Sequence, residues 1–346
     1  MLMRKITLFF CLFFSVSLGA QDVHFTMFDF APNLVNPGLT GAFSGTVRIG
    51  GIFRDQYFGD RTETLSGESF TDLDLYADGN IIRGFKKTHW VAAGLGFTKH
   101  SAGEVAITNT ISAISAAYHI GLGKKATSVF TIGAQYRNNS DAASDMNARS
   151  FTEVAGGTPL DLQGFIPQNM DGDPMGNGHS DVNIGLVYSS NGKNSSFRTG
   201  LTVAHILRPR RSVTMQSGGA ASRQGLGFIL FGQMNSSINK RTNFMPAFIY
   251  QKDGIFNELA VQTKLGYLLK PKKGISINGG LGYRLGRELQ VLLGMDYGKI
   301  KAGLSYDLSL GGLAEAANNT FEVGVNYIIN IEKKPKVKPV IFCPRL

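Results

Sequence analysis

The fold of this chain is decided by residues 275–330, which read ISINGGLGYRLGRELQVLLGMDYGKIKAGLSYDLSLGGLAEAANNTFEVGVNYIIN. This stretch contains four runs in which apolar residues alternate with polar or small ones, and a short turn follows most of the runs. Because side chains alternate across a β-strand, each run has two chemically different faces. Leu292 is the one clear departure from the alternation in these runs. The stretch therefore predicts four β-strands with one apolar face and one polar face.

A transmembrane β-barrel explains these two faces better than a soluble sandwich does. Aromatic residues recur near the strand ends, and glycine and charged residues occupy the second face, as expected for a barrel with a polar lumen. The 43 glycines of the chain also favour closely packed, curved strands. The net charge of +10 lies largely in turns and near the C-terminus. No basic face with interleaved aromatic residues is visible, so we expect no nucleic-acid partner.

The N-terminus has the pattern of a secretory signal peptide. Arg4 and Lys5 precede an apolar stretch at residues 6–18, and the small residues Gly19 and Ala20 follow. The stretch is too short to cross a bilayer as a helix, so we expect cleavage after Ala20 or after Gly19. The chain is therefore predicted to be exported.

Cysteine content adds little to the predicted stability of the exported chain. Cys11 lies inside the apolar stretch and is lost with the signal peptide, which leaves Cys343 alone and allows no internal disulfide. No other segment offers about 18 consecutive apolar residues. An exported chain with this many amphipathic strands is then periplasmic, secreted or an outer-membrane barrel, and the composition favours the barrel.

Alternation along the whole chain predicts an all-β fold, a transmembrane antiparallel β-barrel of about 14 strands. An even number of strands places both termini on the periplasmic side. The predicted strands are residues 46–55, 63–76, 90–98, 104–120, 127–137, 181–189, 197–205, 224–234, 243–251, 257–269, 275–285, 289–297, 300–308 and 321–330.

The connections between these strands test the count, because short periplasmic turns should alternate with longer outer loops. The two longest connections, residues 138–180 and 206–223, both follow odd-numbered strands and so lie on the outer side. Residues 77–89 are the exception, since they form a longer connection on the inner side. That segment is predicted to contain a short helix or a miscounted strand.

The chain divides into four parts on this interpretation: a signal peptide (1–20), a periplasmic or lumen segment (21–45), the barrel (46–331) and a periplasmic tail (332–346). Lysine and proline in the tail favour an extended, solvated spacer. Its apolar end is a candidate contact for a partner protein, and a frayed terminus is the alternative. The candidate contact residues are Val340, Ile341, Phe342, Cys343, Pro344 and Arg345.

No motif for catalysis or for metal binding is present. The six histidines are scattered, and none forms a recognisable nucleophile motif with a serine and a carboxylate. Asp171, Asp173 and Asp181 do not follow the spacing of a calcium loop. We therefore expect no enzyme activity, no cofactor and no bound metal.

Two groups of charged residues are candidates for binding. Arg208, Arg210 and Arg211 lie in the second long outer loop, where they contact lipopolysaccharide phosphates or an acidic partner, or are simply solvated. The second group either selects solutes or fills a narrow lumen with paired charges. Its members are Arg48, Arg54, Lys264, Arg284, Glu288, Asp296, Lys301, Asp307 and Glu322.

Several phrases together resemble the PorP/SprF family of Bacteroidetes outer-membrane proteins. Near the mature N-terminus, residues 30–41 read FAPNLVNPGLTG, which is similar to that family's phenylalanine, Asn-Pro and glycine phrase. The order and spacing of the other phrases extend the resemblance over nearly the whole mature chain. They are RDQY at 54–57, GLTVAH at 200–205, LGYR at 281–284, LSYDL at 304–308, FEV at 321–323 and CPRL at 343–346.

The resemblance implies a role in the type IX secretion system and the associated gliding machinery. It implies a non-enzymatic barrel in the outer membrane that helps to export or anchor secreted proteins such as adhesins. The implied partners are membrane lipid, periplasmic secretion components and the secreted cargo. A general solute channel is the alternative function. A channel predicts an open lumen, and a scaffold predicts one closed by side chains, by residues 21–45 or by a loop.

Overall fold

The computed structural model describes residues 24–56, 70–86, 88–102, 107–123, 127–143, 177–211, 222–254, 256–310 and 319–331. Fourteen strands form one closed antiparallel barrel, which confirms the predicted fold class and strand number. The barrel strands are β1 (Val47–Gln56), β2 (Phe70–Lys86), β3 (His89–Ala102), β4 (Ile107–Leu122), β5 (Ser128–Ala143), β6 (Asn177–Asn191), β7 (Ser195–Ala204), β10 (Gly227–Ser237), β11 (Thr242–Asp253), β12 (Phe256–Lys270), β13 (Ile275–Arg284), β14 (Glu288–Tyr297), β15 (Ile300–Ser309) and β16 (Thr320–Ile329).

The barrel closes where the first strand pairs with the last. β1 lies between β2 and β16, and its register with β16 runs from Val47 opposite Ile329 to Gln56 opposite Thr320. Two short strands, β8 (Arg210–Arg211) and β9 (Ser222–Arg223), pair only with each other in the connection between β7 and β10. Every other barrel strand pairs with the barrel strands that precede and follow it along the chain, so the topology is a simple up-and-down barrel.

The expectation of a long connection at residues 77–89 is wrong. β2 continues to Lys86 and β3 begins at His89, so the two strands form a hairpin with almost no connecting segment. Shifts of register near Asn80 and Arg83 interrupt the regular alternation there, because each shift moves later side chains relative to the partner strand. This irregularity concealed the strand in the sequence.

The longest outer connection, between β5 and β6, is also shorter than predicted. β5 extends to Ala143 and β6 starts at Asn177, with Asn139 opposite His179 and Asp141 opposite Asn177. Strand pairing continues through these polar residues because backbone hydrogen bonds do not require an apolar face. The alternation of apolar residues marks only the part of each strand that faces lipid.

The two faces of the barrel have the predicted chemistry. Leu281, Leu293 and Tyr297 point outward and are more than half exposed, whereas Gln290 and Glu322 point inward and are fully buried. Glycine and polar side chains dominate the inner face in the same strands. The outer surface is therefore apolar and suited to lipid, and the inner face is polar.

The core of the protein lies inside the barrel, where residues 24–45 run through the lumen. This stretch, called the N-terminal segment below, contains the helix α1 (Pro32–Val35) and two 3-10 turns, Phe28–Phe30 and Pro37–Leu39. Its apolar residues pack in two clusters against inward-facing side chains of the wall. One cluster joins Phe28, Val35 and Leu39 to Val187, Phe231, Ile249 and Ala260, and the other joins Phe25, Met27, Phe30 and Ala31 to Ile52 and Leu292.

Leu292, the one departure from alternation in the deciding stretch, belongs to the second cluster and is 2% exposed. An apolar residue on the polar face is stable there because it packs against the N-terminal segment instead of facing water. Within the described ranges, no helix has the length and apolar character needed to cross a membrane. The proposed signal peptide and the proposed C-terminal tail lie outside the described residues.

Candidate functional site

The N-terminal segment crosses the lumen from one rim to the other. His24 lies at the rim formed by the end of β1 and the start of β12, where its ring is 3.4 Å from Glu258. The segment ends at the opposite rim, where the backbone N–H of Ile331 donates to Thr46 Oγ1 at 3.0 Å. Short turns connect the strands at this second rim, and short turns of outer-membrane barrels face the periplasm. We call it the inner rim and the first one the outer rim.

Near the outer rim, Glu322 of β16 holds the backbone of the segment. The N–H groups of Thr26 and Met27 donate to its two carboxylate oxygens, each at 2.8 Å. Arg54 of β1 lies 3.7 Å from the same carboxylate, and its guanidinium also donates to the carbonyl of His24. Hydrogen bonds to a buried carboxylate are among the strong ones in proteins, so this contact fixes the segment in direction and depth.

The side chain of Thr26 lies at the centre of a second set of hydrogen bonds. Its hydroxyl donates to Asp307 of β15 and accepts from Gln290 Nε2 and Arg284 Nη2, both at 3.1 Å. Gln262 Nε2 donates to the Thr26 carbonyl at 2.7 Å. These four partners come from β12, β13, β14 and β15, so together with Glu322 of β16 this one residue contacts five of the fourteen barrel strands.

Within the described residues, carboxylates cluster in this outer half of the lumen and pair with arginines, among them Arg287, which lies 3.3 Å from Glu258. Arg284 pairs with Glu288 at 2.7 Å and with Glu258 at 3.3 Å, and Arg54 pairs with Glu322. Buried charges require partners, because an unpaired one costs several kcal/mol. The N–H and hydroxyl groups of the segment supply further donors to Glu322 and Asp307. Removing the segment would leave these carboxylates with fewer hydrogen-bond donors.

The middle of the segment fits against glycines of the wall. Asn36, Pro37 and Gly38 lie so close to β5 and β6 that side chains are excluded there. A Cβ atom at Gly133 would be 2.4 Å from the backbone N of Gly38, and one at Gly185 would be 2.0 Å from Asn36 Oδ1. The Asn-Pro-Gly phrase and the wall glycines are therefore parts of one contact.

Near the inner rim, Arg48 of β1 forms a two-point ion pair with Asp78 of β2. Its Nε and Nη2 atoms lie 2.9 and 2.8 Å from the two carboxylate oxygens. The backbone N–H of Gly41 donates to the same carboxylate at 2.7 Å, and Arg48 Nη2 donates to the Leu39 carbonyl at 3.2 Å. His119 is hydrogen-bonded to the Thr40 carbonyl at 2.8 Å. Both ends of the segment are thus held by buried ion pairs.

One ion pair joins the segment to the wall halfway along the lumen. Asp29 Oδ2 lies 2.8 Å from Lys264 Nζ of β12. The contact therefore joins the segment to β12.

The structure brings most of the predicted lumen charges together around the segment. Arg48, Arg54, Lys264 and Arg284 all contact it, as do Asp307 and Glu322. Asp296 and Lys301 instead lie 4.0 Å apart near the inner rim. Sequence reasoning placed these charges in the lumen without identifying what they hold. The phrase at residues 30–41 was the available signal, since it has no strand alternation.

Of the candidate contact residues from the sequence, Arg208, Arg210 and Arg211 lie within the described part of the chain. Arg208 follows β7 and donates from Nε to the Gln224 carbonyl at 3.5 Å. Arg210 and Arg211 form β8, whose register sets Arg210 opposite Arg223 of β9. The tail residues Val340, Ile341, Phe342, Cys343, Pro344 and Arg345 lie outside the described residues. The stretch that holds Asp171 and Asp173 lies outside them too.

Among the residues that the structure describes, no group of histidine, cysteine, aspartate and glutamate is arranged to hold a metal ion. His205, on the lumen side after β7, is instead hydrogen-bonded through Nδ1 to Asp181 of β6 and through Nε2 to Gln224. Its ring links β6 to the connection that follows β7. The contacts described in the lumen are those of a packed interior.

A comparison with known protein families gives a match over residues 17–327, to the family described as type IX secretion system membrane protein PorP/SprF. The chain belongs to the PorP/SprF family. The match covers the N-terminal segment and nearly all of the barrel, including Glu322 and Asp307, which hold the segment near the outer rim. This PorP/SprF protein is therefore an outer-membrane β-barrel of the secretion system, surrounded by lipid. Barrels of this kind are non-enzymatic and work with other secretion components.

None of the curated proteins compared with the chain matches it. Several solved structures have a similar course of the chain. The CymD monoaromatic hydrocarbon channel is 8% identical, with a TM-score of 0.49 over 88% of this chain and 94% of that one. A Pseudomonas aeruginosa FadL homologue is 7% identical, with a TM-score of 0.49 over 84% and 92%. The Ralstonia pickettii toluene transporter TbuX is 7% identical, with a TM-score of 0.47 over 87% and 94%.

Proposed function

We propose that this PorP/SprF protein is a closed scaffold that supports the export or surface anchoring of secreted proteins such as adhesins. The observation that carries the proposal is the built-in occupation of the lumen by the N-terminal segment. A scaffold needs a rigid barrel with a fixed interior, whereas a general solute channel, the competing function, needs an open path.

The energy of the outer contact favours the closed state. Each hydrogen bond from Thr26 or Met27 to the Glu322 carboxylate is worth about 1.5 to 3 kcal/mol, so breaking both costs roughly 3 to 6 kcal/mol. An opening that broke only these two bonds would be populated at roughly one part in 10² to 10⁴. An opening that also broke the hydrogen bonds of Thr26 to Asp307 and Arg284 would be populated still less. The segment is therefore a permanent part of the barrel on this proposal.

The rims then supply the surfaces for partners. In the proposal, the tail residues 340–345 contact periplasmic secretion components. Arg208, Arg210 and Arg211 contact lipopolysaccharide phosphates or an acidic cargo at the outer rim. Three arginines within four positions give this connection the positive charge that such a contact needs.

A disulfide between the segment and the wall tests the closed scaffold. A Cβ atom at Gly38 would lie 3.5 Å from Val187 Cβ, which is at the short end of the range of about 3.5 to 4.5 Å for disulfides. Gly38→Cys combined with Val187→Cys also removes the valine methyl that a side chain at 38 would meet. The pair should lock the segment inside the barrel in the oxidising envelope.

Cells with the locked barrel should display as much adhesin as wild-type cells, before and after addition of a reductant. The single variants Gly38→Cys and Val187→Cys are the controls for the substitutions themselves. Display that falls in the locked barrel and recovers on reduction would show that the segment must move, which contradicts the closed scaffold. The purified wild-type barrel should also give no steady conductance in planar bilayers, and a steady conductance would favour the solute channel.

A further inference from the structure

A cavity of about 230 Å³ lies between the N-terminal segment and the wall formed by β6, β7, β10, β11 and β12. The charged residues of its lining are Asp29, Arg198 and Lys264. Asn191 and Asn235 also line it, and both are exposed next to short turns of the inner rim. The cavity therefore opens toward the periplasm.

The charges of this cavity do not balance. Lys264 pairs with Asp29 at 2.8 Å. Arg198 donates from Nη2 to the Ala42 carbonyl at 2.8 Å and from Nε to Ser189 Oγ at 3.3 Å, and both acceptors are neutral. Within the described part of the chain, no carboxylate forms an ion pair with Arg198. Arg198 is partly buried, and an arginine that is partly withdrawn from water inside a barrel normally has an anionic partner.

We propose that this cavity binds a carboxylate that enters from the periplasm, with the guanidinium of Arg198 as its main partner. The planar guanidinium offers N–H groups beyond the two already used, in a geometry that suits two carboxylate oxygens. Gln233 and Asn235 line the same cavity and supply amide donors, and Phe28 and Met245 supply apolar contacts. The ligand gives the cavity the negative charge that it lacks.

The volume limits the ligand to a small group. Pockets for drug-sized ligands measure about 300 to 1,000 Å³, and this cavity is smaller. An acidic side chain of a peptide and a free short carboxylic acid both meet that limit. Both ligands present a carboxylate to Arg198, and the choice of probes in the experiment below distinguishes between them. The site goes beyond the scaffold role and does not depend on it.

Binding to the purified full-length barrel in detergent should be measured by calorimetry with three probes: acetyl-glutamate amide, its neutral analogue acetyl-glutamine amide, and butyrate. The glutamate probe should bind at least about tenfold more tightly than the glutamine probe, because its carboxylate forms an ion pair with the Arg198 guanidinium whereas the glutamine amide is neutral. Butyrate binding as tightly as the glutamate probe would assign the site to free acids. Much weaker butyrate binding would assign it to peptides. Equal binding of the glutamate and glutamine probes would overturn the proposal.

Arg198→Gln should weaken binding of the glutamate probe about tenfold or more. Lys193→Gln is the matched control, since Lys193 lies in the turn at the same rim but does not line the cavity. Lys193→Gln should leave binding unchanged. An equal loss in both variants would show that binding depends on the overall positive charge of this rim and not on Arg198, which would overturn the proposal. If Arg198→Gln does not fold, chemical modification of the wild-type barrel tests the proposal instead. The glutamate probe should protect Arg198 from modification by phenylglyoxal, and absence of protection would overturn the proposal.

Discussion

Valine in place of Gly133 should displace the N-terminal segment and open the lumen. A Cβ atom at 133 would lie 2.4 Å from the N atom of Gly38, 2.4 Å from the carbonyl carbon of Pro37 and 2.5 Å from its oxygen. All three are backbone atoms, so no side-chain rotation relieves the contact. Valine itself is favourable in a β-strand. The strain therefore falls on the segment, which must move by roughly 1 Å or more to restore ordinary contact distances.

The cost follows from the contacts that hold this part of the segment. The Val35 carbonyl accepts from Thr202 at 2.8 Å, the Asn33 carbonyl accepts from Gln135 at 3.0 Å, and Asn36 donates to the Leu186 carbonyl at 3.3 Å. At about 1 kcal/mol each, losing all three costs about 3 kcal/mol. Overpacking without full displacement costs about 1 to 3 kcal/mol. We therefore expect Gly133→Val to destabilise the protein by about 1 to 3 kcal/mol.

Two measurements check this expectation. The temperature at which the barrel loses its heat-modifiable mobility on gels should fall, and conductance in planar bilayers should rise above the wild-type level. Gly279→Val on β13 is the matched control, because the nearest atom to a Cβ there is Leu293 Cδ2 at 3.7 Å on the lipid side. The reasoning fails if Gly133→Val melts like the wild type and does not conduct, or if Gly279→Val conducts as well.

Three further predictions concern the surfaces of the barrel. Leu293→Arg should destabilise it by about 2 to 4 kcal/mol, because the side chain faces the lipid in the middle of β14, whereas Ser276→Arg on the lumen side, beside Asp296, should melt like the wild type. A cysteine at Leu207 should react with an impermeant reagent on intact cells and one at Lys272 only after permeabilisation, and the reverse pattern would invert the assignment of the rims. Deleting residues 340–346 should leave a folded barrel that co-purifies less periplasmic secretion machinery, and normal export by this variant would refute the docking role of the tail.

The strands were predictable because their signal is local. Alternation at Ile275, Ile277 and Leu281 follows from a two-residue period that needs no knowledge of the rest of the chain. Where the backbone departs from this period, as near Asn80, the prediction failed. Polar strand ends such as those at Asn139 and Asn177 were also missed, because pairing outside the lipid leaves no apolar pattern.

The sequence by itself determined the class of fold, the number of barrel strands, the face of each well-patterned strand and the family. Only the tertiary structure decided what fills the lumen. The backbone N–H of Thr26 reaches Glu322 across 296 positions of the chain. A contact of this kind exists only after the barrel closes and sets inward-facing residues of distant strands around one axis. Local periodicity describes each strand alone, so it cannot report which residues meet inside the closed barrel.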